Sequence, residues 1–136
     1  MNTRLIRDER ILLKNSMAIM FIGANVLIRV FPHVPNFSQE LVLALYYGIK
    51  FSKSIAMVSI LSVAILSDSM IALPTGYPCM GTWTFFTYSA LLAITFLGSH
   101  HWLKKGKLTF FITSWLVTLL FWVWTNFGVW LVSSLY

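Results

Sequence analysis

Residues 54 to 103 of this chain carry a single formal charge, Asp68, and residues 108 to 136 carry none. Each stretch exceeds the roughly 20 apolar residues that cross the hydrocarbon core of a bilayer, so lipid rather than water is the solvent to which most of the sequence is fitted. Composition agrees: 58% of residues are apolar and 10% are charged, against about a quarter charged in soluble domains. The chain reads as one all-α membrane domain over residues 1–136, a polytopic transmembrane helix bundle.

The basic residues set how that bundle is threaded. They fall in three clusters, Arg4, Arg7, Arg10 and Lys14, then Lys50 and Lys53, then Lys104, Lys105 and Lys107, separated by apolar runs. Passing the apolar stretches through as five successive helices brings nine of the ten lysines and arginines to one side and leaves only Arg29 on the other. Cytoplasmic loops carry the excess of Lys and Arg. The expected orientation therefore has the N-terminus in the cytoplasm and the C-terminus outside the inner (plasma) membrane. The same reasoning accounts for the net charge of +6, which lies in loops beside apolar spans and forms no basic face for nucleic acid. The charged start and the apolar run over residues 16–31 superficially resemble a signal peptide. That run ends in Arg29, Phe31 and Pro32 rather than in a small-residue cleavage pattern, and is expected to stay as the first span.

Residues 1–14 read as a polar, amphipathic lead-in, and the first span as residues 15–31. Pro32 and Pro35 close it, because proline lacks the backbone donor and restricts the residue before it. The next apolar segment, residues 37–49, has a helical length of roughly 20 Å, less than the hydrocarbon thickness of roughly 30 Å. The charge pattern still favours a crossing, since a re-entrant hairpin would strand Lys50 and Lys53 outside. A third span covers residues 54–73 before Pro74 and Gly76. Ser52, Ala56, Ser59 and Val63 recur there at the spacing that lets membrane helices pack closely, which predicts a central helix. Residues 74–82 form the longest outer loop, and Trp83 opens a fourth span, 83–101, as an interfacial aromatic. The fifth span, 108–132, carries Trp115, Trp122, Trp124 and Trp130.

Depths can be counted from the nearest cytoplasmic lysine at about 1.5 Å per residue. Asp68, fifteen residues past Lys53, and Arg29, fifteen past Lys14, both stand roughly 22 Å up, and Asn126, nineteen past Lys107, roughly 28 Å. Asn36, Glu40 and Trp83 border the outer loops. The embedded polar groups thus collect in the outer third, as a pocket open to the extracytoplasmic side would require. Asp68 is the sharpest signal, because an ionised carboxylate within a span costs about 2.5 to 3.5 kcal/mol even on the lenient insertion scale. It is either a contact for a ligand or cation, or else the partner of Arg29 or a helix-end carboxylate reaching water, and one role does not forbid the other. Asn126 belongs to the stripe Thr118, Trp122, Asn126 and Trp130, which shares one helix face. Aromatic planes beside an amide suit a flat organic molecule, and the same stripe suits packing against a neighbouring helix.

Other chemistry lacks support. The lone Cys79 permits no internal disulfide and supplies too few sulfur ligands for a metal site. His100 and His101 are adjacent, point to different helix faces and have no third ligand nearby. No phosphate-binding loop, Ser-His-Asp set or paired carboxylate occurs, so neither an enzyme nor a cofactor site is expected.

Three segments carry a resemblance: Pro35-Asn36-Phe37-Ser38 after the first helix, Leu66-Ser67-Asp68 late in the third, and Thr125-Asn126-Phe127-Gly128-Val129-Trp130-Leu131 in the fifth. Together, over about residues 29–136, they resemble an uncharacterised family of bacterial integral membrane proteins. That family is itself similar to the substrate-capture (S) components of energy-coupling-factor vitamin transporters. The resemblance implies a six-helix bundle with a small-molecule pocket near the outer face, moved by a separate transmembrane coupling protein and two cytoplasmic ATPases. On matching positions it makes Asn36, Asp68, Asn126 and Trp130 the substrate-binding candidates. Two departures stand out. Relatives of this kind continue into a further helix beyond Leu135 and Tyr136, which implies a shortened bundle with one wall left to lipid, another chain or a second copy. The first helix has Ala18, Gly23 and Ala24 in place of the alanines spaced by four through which S components dock. The leading expectation is a membrane-embedded binding or transport subunit for a small organic solute. The competing one is a non-transporting membrane protein, an assembly partner or a degenerate relative.

Overall fold

The computed structural model describes residues 3–30, 39–76, 78–100 and 106–132, with the backbone alone for residues 3–10 and Lys14. Among them are five helices and no strand: α1 (Thr3–Val30), α2 (Glu40–Lys50), α3 (Lys53–Thr75), α4 (Thr82–Gly98) and α5 (Lys107–Val132). Three stretches are long and apolar enough to cross a membrane, Ile11–Val30 of α1, all of α3 and all of α5. The chain is an all-α transmembrane helix bundle, completed by the apolar α4 of 17 residues and the 11-residue α2, whose rise is only roughly 16 Å.

Several boundaries differ from the sequence-based expectation. The lead-in and first span are one continuous helix of 28 residues, because no proline interrupts the hydrogen-bond ladder between Thr3 and Val30. α2 starts at Glu40 rather than at residue 37; residues 37 and 38, like Pro32, Pro35 and Asn36, lie outside the described residues. α3 runs on through Pro74, which falls in its last turn, and stops at Gly76, whose φ of 68° and N–H bond to the Ala72 carbonyl at 2.9 Å form a left-handed cap. α4 ends at Gly98 rather than at residue 101. There the Ser99 N–H turns back to the Thr95 and Phe96 carbonyls at 3.2 and 3.1 Å. At its other end the Thr84 hydroxyl accepts the Gly81 N–H at 2.9 Å, satisfying a donor that the first turn leaves open.

Packing makes α3 and α4 the centre. α3 lies against α1, α2 and α4, while α5 rests on α4 and touches α2. Ala56, Ser59 and Val63 are buried along α3 and Ser52 is exposed, so three of the four residues that predicted close packing provide it. The tightest approach is α2 on α4. A Cβ on Gly48 would stand 2.9 Å from the Gly98 Cα, and one on Gly98 would strike the Leu45 carbonyl oxygen, so glycine at both positions lets the two backbones meet. Around that contact Leu41, Ala44, Leu45, Ile60, Leu91 and Ile94 form the apolar core. Outward faces of α1 and α5 are covered with Ile, Leu, Met and Trp, as lipid contact demands.

Candidate functional site

The up-and-down path of the chain gathers the end of α1, the start of α2, the end of α3 and the start of α4 at the end of the bundle remote from the lysines. Arg29, in the last turn of α1, is the hub there. Its Nε meets Glu40 Oε1 at 2.8 Å and its Nη2 meets Asp68 Oδ1 at 2.7 Å. Nη1 donates to the Ser67 hydroxyl at 2.6 Å and to the Ala64 carbonyl at 3.3 Å. The Tyr88 hydroxyl donates to Asp68 Oδ2 at 2.7 Å. Both oxygens of Asp68 therefore act as acceptors; the guanidinium joins α1, α2 and α3, and Asp68 ties in α4 through Tyr88. Glu40 and Asp68 are buried, while the Arg29 side chain keeps 20% of its surface exposed.

Local structure prepares this cluster. Arg29 sits at a helix C-terminus and Glu40 at a helix N-terminus, each on the favourable end of its helix dipole. Ser67 turns its own hydroxyl proton to the Val63 carbonyl at 2.6 Å, which leaves its lone pairs for Arg29. One turn further down α1, the buried Asn25 donates to the Phe21 carbonyl at 2.6 Å. Its carboxamide faces Tyr47, a fully buried side chain whose hydroxyl has no hydrogen-bond partner among the described residues.

On the other side of α4 a cavity of about 690 Å³ opens between α4 and α5. Ser89, Ala90, Ala93 and Ile94 line it from α4, and Val117, Phe121, Trp124 and Phe127 from α5. The Trp124 Nε1 donates to the Ser89 hydroxyl at 3.1 Å, which makes this pair the polar spot of an otherwise apolar wall. Trp124 also stacks on Phe127 at 6.0 Å between centroids and leans on Phe86 at 5.3 Å. The Phe86 ring occupies the space above Gly128, where a Cβ would collide with it. Thus Gly128 is the residue of the Asn126-Phe127-Gly128 motif that α5 turns inward.

Of the four residues singled out in the sequence, Asp68 belongs to the ionic cluster and Asn36 lies outside the described residues. Asn126 is exposed, and its amide donates to the Trp122 carbonyl of its own helix at 2.7 Å. Trp130 is exposed beside Phe127. The structure does not bring either to Asp68. Thr113, Val117 and Gly128 are the buried positions of α5, and Asn126, two residues from Gly128, lies about 200° round the helix from it. The whole stripe Thr118, Trp122, Asn126 and Trp130 therefore faces away from the bundle. In exchange the structure adds Glu40 and Tyr88 to Asp68 and Arg29, and a separate aromatic site at Ser89 and Trp124. Tyr88 was open to the same depth count, lying six residues inside the start of α4. Its ring alone gave no hint that it faces α3. Among the described residues no three His, Cys, Asp or Glu side chains are grouped to hold a metal.

Neither the curated proteins nor the solved structures contain a match to this chain. Its sequence does match a family pattern that has no assigned activity. That match takes in residues 10–136, hence every residue of the ionic cluster and of the cavity, and the chain belongs to this family of unknown function, DUF6580.

Proposed function

We propose that the chain is a membrane-embedded binding subunit for a small organic solute, similar in role to the S components and moved by a separate coupling protein with cytoplasmic ATPases. The observation that carries this reading is the cavity between α4 and α5. Its volume of about 690 Å³ falls in the roughly 300–1,000 Å³ range of small-molecule sites. Its wall of Phe121, Trp124 and Phe127 with one hydroxyl–indole pair suits a flat, largely apolar solute. An embedded ionic cluster at the end remote from the lysines supports it further, since charged groups within spans mark functional sites more often than not. In this reading the membrane is the inner (plasma) membrane, the N-terminus is cytoplasmic, and the cluster lies on the outer side, in keeping with the nine basic residues opposite it.

Native mass spectrometry of the protein purified in lipid nanodiscs tests the proposal. Wild type should retain a small molecule other than phospholipid, and Ala93→Trp, which fills the cavity from α4, should lose it while keeping its helical circular dichroism. A second reading, a non-transporting assembly partner, draws on the outward stripe of α5, where the Asn126 amide is set among exposed tryptophans as a neighbouring helix would use it. Retention of lipid alone, with a second polypeptide cross-linked through position 126, would favour that reading.

A further inference from the structure

The buried residues of α5 are Thr113 and Val117 toward one end and Gly128, under the Phe86 ring, toward the other. Val117 and Gly128 are eleven residues, roughly 16 Å, apart. No residue of α5 between them is buried, and the α4–α5 cavity fills the gap. Its mouth is set sideways, because the lining residues Leu120, Val123 and Phe127 are exposed on the outer side of α5. Leu120 stands thirteen residues, roughly 20 Å, along the span from Lys107, which puts that rim within a hydrocarbon layer roughly 30 Å thick. A molecule that reaches the cavity by this mouth comes from among acyl chains. Ser89, Ala90, Trp124 and the other lining residues carry no charge, so an ionised group brought here would lack a counter-charge where solvation is poor. The hydroxyl of Ser89 narrows the chemistry further. It donates its proton to the Phe86 carbonyl at 3.1 Å and accepts the Trp124 indole N–H at 3.1 Å. A hydroxyl oxygen has two lone pairs, so one is left over, and it accepts.

We infer that the cavity holds an uncharged lipophilic alcohol drawn from the bilayer, its flat apolar body against Phe121, Trp124 and Phe127 and its single hydroxyl donating to Ser89 Oγ. The inference rests on the binding reading above and names the class of solute; it does not require the coupling protein. A phospholipid meets the site less well. Its acyl chains have no donor for Ser89, which lies seven residues, roughly 10 Å, inside the start of α4 and so below the level of a charged headgroup. An ammonium group has the donor but brings a charge that the wall does not match. An amide brings a carbonyl as well, and the indole N–H that would serve it is already engaged by Ser89.

The test uses three probes with one flat polyene body and different polar ends: retinol, its methyl ether, which has no donor, and retinoic acid. Each is added to the protein in lipid nanodiscs, and native mass spectrometry reads the bound fraction. Wild type should bind one retinol per chain, about fivefold more tightly than the ether, the worth of one neutral hydrogen bond, and should bind the ionised acid more weakly than the alcohol. Ser89→Ala should erase the preference for alcohol over ether. Trp124→Phe, which frees a lone pair and leaves the acceptor in place, should keep it, and Ala93→Trp should weaken binding of all three probes. Circular dichroism checks that each variant is folded; should Ser89→Ala not fold, Ser89→Cys takes its place, with a weak sulfur acceptor that should shrink the preference. Equal binding of retinol and its ether by wild type, or a preference that survives the change at Ser89, overturns the inference. Phospholipid as the sole occupant overturns it together with the binding reading. A charged or water-soluble molecule retained by wild type and expelled by Ala93→Trp overturns the alcohol and leaves the binding reading standing.

Discussion

Arg29 serves two carboxylates, a serine and a backbone carbonyl at once, so its removal takes from Glu40 and Asp68 the guanidinium they share. Arg29→Ala should destabilise the bundle by about 3–5 kcal/mol, the cost of breaking a buried pair from one side. Asp68→Asn should cost less, because Glu40 still engages the guanidinium and the amide oxygen still accepts from a donor. In the double variant the two losses should fall short of their sum, which circular dichroism melts of the four proteins will measure; strict additivity would mean that Arg29 and Asp68 are not coupled. Tyr88→Phe deletes one hydrogen bond to a charged acceptor and should cost about 1.5–3 kcal/mol. Part of this was legible in the sequence: equal depth counts from Lys14 and Lys53 brought Arg29 and Asp68 to one level, and they are in contact. The inward face of α5 was not legible, because lipid is as apolar as the core. Trp122 and Trp130 suit either side, and no hydrophobic contrast marks which way Asn126 turns.

At the scale of helices, the fit of α2 to α4 rests on two absent side chains. Gly48→Ala and Gly98→Ala each place a methyl group against backbone atoms of the partner helix, which cannot rotate away, and each should cost about 1–3 kcal/mol by overpacking. Gly76→Ala makes a useful contrast. Nothing lies within 4 Å of its added methyl, so the penalty is that of the left-handed cap alone, about 1–2 kcal/mol, and it should leave the α2–α4 contact intact. Chemical denaturation of the three variants, with cysteine cross-linking between α2 and α4, will separate the two mechanisms. The number and order of helices were readable because prolines, glycines and basic clusters punctuate the apolar runs. The fusion of the lead-in with the first span was hidden, since a change from polar to apolar composition alters a helix's solvent and leaves its backbone bonds untouched.

For the whole molecule, the arrangement of five helices requires the connections after α2 and α4 to share one side. A cysteine at Gly106, introduced after Cys79→Ser, should react with a membrane-impermeant thiol reagent only once the cytoplasmic side is opened, and one at Ser134 should react in intact cells. Reversal at Ser134 alone would demote α2 from a crossing to a re-entrant helix. The placement of aromatic rings decides how such experiments can be read. Four of the six tryptophans are on α5; Trp124 packs inward on Ser89 and Phe86, while Trp115, Trp122 and Trp130, at 68%, 63% and 57% exposure, turn outward to meet acyl chains. Emission from this protein is therefore a gauge of the bilayer. Brominated lipid tails should quench most of it in the fully folded state, and an unfolding curve traced by tryptophan light would record α5 changing its company long before, or long after, the four-helix junction at Arg29 gives way.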